Sequence, residues 1–462
     1  MKITKAAEKT VSVCSWLIFI MFALAITVPL LAAEPDRDDR QNYGARVNRI
    51  TNPCDPAIPS PPTAAAAAAI PCFTSQVFPP GTTTSAWSLD ILWFNPVTEK
   101  VYMPDRNNFG VDIVDARTDT VVNNVATGFV GNRAAANSSG PNGLLVTNEP
   151  HQIWAGDGDS TVKVFSLNKS GDTATFLTSV DTGGMRRADE LGYDPDDQLI
   201  LIGNDDPSDQ FLTFISVSAN KNNIKVKGKI DLKNNCPIGG CSTGGLEQPV
   251  YNHETGLFYV AVPQTTGHPN GEILVIDPKT MTAVNAFGLT DVNNNPIPCF
   301  PHGLALSPKQ QLAVGCSADT NATYPTHPLV ALVISAKDGS LVRAFNQVGG
   351  IDEVWYNPGD NTFYLAGANF TANGMTGGAA NPVLGVIDAG NDADGPEFVQ
   401  AIPTGASAHS VVAVYIVNPE KKHDFDSRKS NNDDIINKVY LPRRINSSPG
   451  ETGGIEVIGR IP

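Results

Sequence analysis

The sequence predicts an all-β chain folded as a seven-bladed β-propeller, each blade a four-stranded antiparallel meander, preceded by a signal peptide and a Pro/Ala-rich linker. Three observations carry this expectation. A short apolar run opened by a polar residue recurs seven times, at intervals of 47 to 58 residues. Further β-type runs follow each copy, separated by Gly, Pro, Asn and Asp turns. No stretch beyond residue 33 sustains helical periodicity. A four-stranded meander has two open edges and too small a core, so the copies must stack around an axis to be buried.

At the N-terminus, Lys2, Lys5 and Lys9 precede an uncharged apolar run from Val11 to Ala32, followed by Ala33 and polar Glu34. Residues 1–33 therefore read as a secretory signal. The run also reaches the ~20 residues that a membrane-spanning helix needs, which leaves an uncleaved anchor as the alternative. No other run approaches that length, so no membrane span is expected after cleavage and the mature chain is placed in the periplasm or outside the cell. Cys14 leaves with the signal. The remaining cysteines form local pairs, Cys54 with Cys72, Cys236 with Cys241 and Cys299 with Cys316, as disulfides of an oxidising compartment. Residues 34–80, charged and then Pro-rich around an Ala64–Ala69 run, read as a linker segment with its own disulfide, and residues 81–462 as the propeller.

The first strands open at Asp90, Asn142, Asp189, Glu247, His302, Asp352 and His409. Most run into an Asn, Asp or Ser followed by Pro, a turn signature. Second strands follow near Lys100, Gln152, Gln198, Leu257, Gln311, Thr362 and Lys438, and third strands near Val111, Val162, Leu212, Ile273, Leu329, Val383 and Ile455. A fourth is legible at Thr120–Ala126 and at Ala283–Phe287. The last repeat ends directly after its third strand, so residues 72–88 are expected to supply the outermost one and close the ring. Residues 419–437 are an insertion at the opposite mouth from the openings and read as a solvated loop.

Because the first strand of a blade is innermost, the seven openings should converge on one mouth of the axial channel. All are polar. Carboxylates gathered in a narrow channel repel one another unless protonated, hydrogen-bonded or neutralised by a cation. The oxygen-rich set favours Ca²⁺ or Mg²⁺, while two imidazoles would suit Zn²⁺ or Mn²⁺. Alternatively the same side chains cap strand ends and bridge blades, with water filling the channel. Alternation along a strand should turn Glu190 and Glu353 toward neighbouring blades. Arg186 and Arg187 either pair with Asp189 or Glu190 or hold an anionic group. Asp157–Asp159 and Asn204–Asp206 read as turns before calcium loops, and Trp93, Trp154 and Trp355 as core. The Cys299–Cys316 bridge should stiffen the approach to His302. A charge of −15 repels phosphate backbones, so nucleic acid is not an expected partner.

Three segments, Lys100–Asp105 (KVYMPD), Val111–Val122 (VDIVDARTDTVV) and Glu272–Val284 (EILVIDPKTMTAV), resemble the YVTN-repeat seven-bladed β-propellers, over roughly residues 85–462. The resemblance implies the fold and no single activity. More distantly the chain is similar to lactonase and gluconolactonase propellers, some of which hold a divalent metal on the axis, although none of their catalytic motifs can be placed on these residues. The expected function is an exported, monomeric propeller that binds a small ligand or divalent metal at the axial mouth. In a lactonase-like hydrolase or isomerase version, metal on Asp189, Glu247 and Asp352 polarises a carbonyl, with His302 or His409 as general base. The alternative is a non-catalytic scaffold binding a protein or polymer outside the membrane.

Overall fold

The computed structural model describes residues 75–77, 88–317, 326–391, 394–417, 435–443 and 454–459. The signal peptide, Cys54, Cys72, nearly all of the linker and most of the 419–437 insertion lie outside the described residues. Seven separate four-stranded antiparallel sheets form the blades. Among the described residues only two one-turn 3₁₀ segments occur, Ala136–Ser138 and Lys221–Asn223. No helix there is long and apolar enough to cross a membrane.

The innermost strands are Trp93–Asn95, Leu144–Asn148, Ala188–Asp194, Pro249–Asn252, Pro301–Ser307, Val354–Asn357 and Val412–Val417. Their recurring Asn or Asp has a mechanical reason. Asn95 Oδ1 accepts the Val97 N–H at 2.8 Å, Asp194 Oδ1 the Asp196 N–H at 2.9 Å, and Asn252 Oδ1 the Glu254 N–H at 3.0 Å. Each side chain thus imitates a backbone turn and folds the chain into its second strand. The same amides lock adjacent blades at that end, Asn95 to Asn148 at 2.9 Å and Asn357 to Asn437 at 3.0 Å.

Middle strands are buried along their whole length, as in Leu199–Asn204, Thr362–Gly367 and Val383–Asp388. Both faces of a blade pack on neighbours, which is why these strands read as unbroken apolar runs. One core cluster joins Ala305, Val333 and Phe345 of blade five to Val354, Phe363 and Val383 of blade six. Another joins Leu92, Val101 and Val114 of blade one to Val412, Tyr440 and Val457 of blade seven. Outer strands such as Thr282–Gly288 and Val226–Asp231 are mostly exposed or half-buried.

Blade seven takes its outermost strand from the other end of the chain. Ser75–Val77 pairs antiparallel with Gly454–Gly459, Ser75 opposite Val457 and Val77 opposite Ile455. The ring closes as the unfinished last repeat required, and the end of the stretch read as linker belongs to the propeller. Cys236–Cys241 and Cys299–Cys316 are bridged, with Cα atoms 4.7 and 4.5 Å apart. Pro301 lies opposite Cys316 in the ladder, so the second bridge does lie beside His302.

A charged vestibule at one end of the axis

The vestibule has two halves of different electrostatic character. On one side stand Asp90, Asn142 and Asp189 of the first three blades. Arg106, carried just past the second strand of blade one, pairs with Asp90, donates from Nη2 to Asn142 Oδ1 at 2.7 Å and from Nε to the Pro141 carbonyl at 3.2 Å. Arg187 Nη2 reaches Asp90 Oδ2 at 3.1 Å and Asp189 Oδ2 at 2.7 Å. Asn142 Nδ2 donates to the Ala188 carbonyl at 2.9 Å. His409 Nε2 approaches Asp90 Oδ1 at 3.8 Å, and its Nδ1 lies 3.0 Å from the Ser407 carbonyl. Burial opposes ionisation of Asp90, but Arg106 and Arg187 outweigh it and hold the carboxyl well below the usual range. Burial pushes Asp189 up to about 7; Arg187 pulls against it, while the Asp90 and Asp205 charges add to it.

The other side is made by blades four to six. His302 Nδ1 lies 3.0 Å from Asp352 Oδ1 and 3.7 Å from Glu247 Oε1. One donor atom from each of Glu247, His302 and Asp352 lies within 4.8 Å of the other two. Their side chains remain 16%, 23% and 36% exposed, so solvent and solute can reach them. Burial raises Glu247 to about 8, helped by Asp205 and Asp352 and opposed by His302. Burial by itself would lower His302, yet Glu247 and Asp352 raise it to about 9. Without a metal the two carboxylates thus favour the protonated ring.

Below the openings lies a second tier. Glu353 accepts the Ser410 hydroxyl at 2.8 Å, and Ser410 Oγ accepts the Leu92 N–H at 3.2 Å. Gln248 Oε1 accepts the N–H groups of Leu304 at 2.7 Å and Val354 at 3.3 Å. These side chains stitch innermost strands together. Blades two and five have glycine at this tier because the strands nearly touch: a Cβ on Gly143 would stand 2.6 Å from the Asp189 carbonyl oxygen, and one on Gly303 2.6 Å from the Val354 nitrogen. Glu353 thus reaches its neighbouring blade, as alternation predicts. The ladder shifts register between Ala188 and Leu191, and Glu190 Oε2 is buried without a hydrogen-bond partner. Burial raises the Glu190 carboxyl well above its ordinary range, with the charges of Glu247 and Glu353 adding to it.

Deeper still, the Trp93 and Trp355 rings meet edge to face with centroids 5.3 Å apart. Blade seven separates their blades in the ring, so this contact spans the axial channel. Trp154 is fully buried core. Asp157 pairs with Lys163, and Asp206 with Arg186 at 3.4 Å, both as local partners. Sequence reasoning overlooked Arg106 and gave Asp205 no part in the mouth. Both follow a second strand, and aligning the ends of those strands across the repeats would have brought them to notice.

No known family model matches the chain, and no curated protein matches it in sequence. Among solved structures, it is similar to Kuenenia stuttgartiensis hydrazine synthase, at 13% identity over 83% of this chain and 99% of that one, with a TM-score of 0.53. A chain of the mitotic checkpoint complex matches at 12% identity over 85% of this chain and 95% of that one, TM-score 0.50. A Bacteroides uniformis protein provisionally described as a 6-phosphogluconolactonase matches at 10% identity over 80% of this chain and 94% of that one, TM-score 0.47. Such low identities show the propeller fold alone.

Proposed function

We propose that the protein is an exported propeller that binds a divalent cation at its axial mouth through Glu247, His302 and Asp352, and seats a small polar ligand on it. The observation that carries this reading is the convergence of two carboxylates and an imidazole within 4.8 Å in a solvent-accessible mouth. Three protein donors with open positions left for water or ligand is a common arrangement for a reactive metal centre. The Asp90 half takes no part in holding the ion, because Arg106 and Arg187 already neutralise it. Asp189, expected among the ligands, is held by Arg187, and His302 takes its place. Export is supported by the Lys-rich, then apolar N-terminus and by the two bridged cysteine pairs.

A bound divalent ion would supply Lewis-acid polarisation of a carbonyl or ester oxygen, the chemistry a lactonase-like hydrolase or isomerase needs. The chain's own residues would hold and orient the ligand, with the Trp93 and Trp355 rings below the charged mouth. The test is calorimetric titration of chelator-stripped protein with Ca²⁺, Mg²⁺, Mn²⁺ and Zn²⁺. We expect one site for at least one ion, weakened tenfold or more (about 1.4 kcal/mol) in Glu247→Gln and in His302→Ala. Absence of binding heat for all four ions, with no change in melting temperature, overturns the reading and leaves a non-catalytic scaffold.

A further inference from the structure

We infer that Asp205 is a fourth protein ligand of this cation site, and that Gly245 keeps open the space between it and Glu247. The inference rests on the cation-binding reading above. Asp205 directly follows the second strand of blade three, Leu199–Asn204, inside an Asn-Asp-Asp run. Its neighbours are spent elsewhere. Asn204 Nδ2 donates to Ser160 Oγ at 2.9 Å, and Asp206 is engaged by Arg186. Asp205 turns instead toward blade four, where its Oδ1 accepts the Leu246 N–H at 2.9 Å, one residue before Glu247.

Gly245 shows how close the two carboxylates stand. It has φ +122°, a conformation that L side chains rarely adopt. A Cβ there would lie 2.8 Å from Asp205 Oδ1 and 3.5 Å from Glu247 Oε1, so both oxygens flank one gap. Glu247 Oε1 is also the atom 3.7 Å from His302 Nδ1. Asp205 of blade three therefore stands next in the row to Glu247, His302 and Asp352 of blades four to six, just outside the 4.8 Å spread of those three donors, where its side chain can close on a bound ion. Near it Asp189 Oδ1 and Glu190 Oε2 are buried with no hydrogen-bond partner. Three carboxylates and one imidazole make an oxygen-rich, strongly anionic donor set. Such a set suits Ca²⁺ or Mn²⁺ better than Zn²⁺, which is more often held by imidazole and thiolate ligands.

The experiment compares the full mature chain with D205N and G245A, using Ca²⁺ and Mn²⁺ alone as probes in calorimetry. Asn at 205 keeps an acceptor for the Leu246 N–H and removes only the charge, so the metal-free melting temperature should stay close to wild type. We expect both ions to bind D205N at least tenfold more weakly. Gly245→Ala, which intrudes on the gap without removing any ligand, should weaken them as well. Wild-type affinity in D205N overturns this inference and leaves the cation site standing. Failure of the wild type to bind either ion overturns this inference as well; the four-ion titration above then decides whether the cation site falls with it. Should D205N fold poorly, unchanged affinity in G245A overturns the inference in its place.

Discussion

Asp360 sits in the turn after the innermost strand of blade six, buried, with the Tyr364 hydroxyl donating to its Oδ2 at 2.6 Å. Burial raises its carboxyl to about 7, against the pull of that hydrogen bond. Between roughly pH 4 and 7 the folded chain thus holds a proton that the unfolded chain has released. Its contribution to stability is present at low pH and is lost as pH rises through 7. Asp360→Asn keeps the acceptor without the charge, so denaturant unfolding at pH 8 should show the variant more stable by about 1 kcal/mol or more, with the gap closing toward pH 4.5. Arg106 presents the opposite case. Arg106→Met leaves Asp90 buried beside one fewer cation and should cost roughly 3 kcal/mol, and adding Asp90→Asn should recover part of it in a double-mutant cycle. The seven openings were legible because they recur in register. Arg106 and Asp205 were not, because they lie past the ends of second strands, outside the register of the openings.

At the scale of strands, the bridge between Cys299 and Cys316 ties the approach to His302 onto the end of the second strand of blade five. It encloses a loop of 17 residues in sequence separation, for which chain entropy predicts about 3 kcal/mol. Cys299→Ala with Cys316→Ala should lower unfolding free energy by about that amount and, if the bridge stiffens the mouth, weaken cation binding too. Inner and middle strands could be read from apolar runs and Asx turns. Outer strands such as Ala174–Asp181 and Val226–Asp231 expose half of their residues, which weakens the apolar pattern there. The register shift between Ala188 and Leu191 left no mark in composition.

For the molecule as a whole, ring closure depends on three residues far from the rest of their blade. A chain beginning at residue 81 lacks Ser75–Val77, which leaves Gly454–Gly459 as an unpaired edge in blade seven. It should melt at a lower temperature than a chain beginning at residue 70 and should self-associate, as light scattering would show. The closure was legible because nothing strand-like follows the third strand of the last repeat, while residues 72–88 precede the first. Lys438 and Tyr440 of blade seven add a polar clasp onto Asp119 of blade one. That clasp was not legible, because a lysine in a second strand gives no hint of its partner.

Joining the two chain ends in one blade also sets an order of events during synthesis. The segment Ser75–Val77 leaves the ribosome among the first parts of the propeller, while its partner Gly454–Gly459 is among the last. Six blades can be finished as they emerge, but the seventh must wait for Gly454–Gly459. If the chain is threaded through a membrane while still being made, the far compartment receives an open, self-adhesive crescent whose two tips must find each other there.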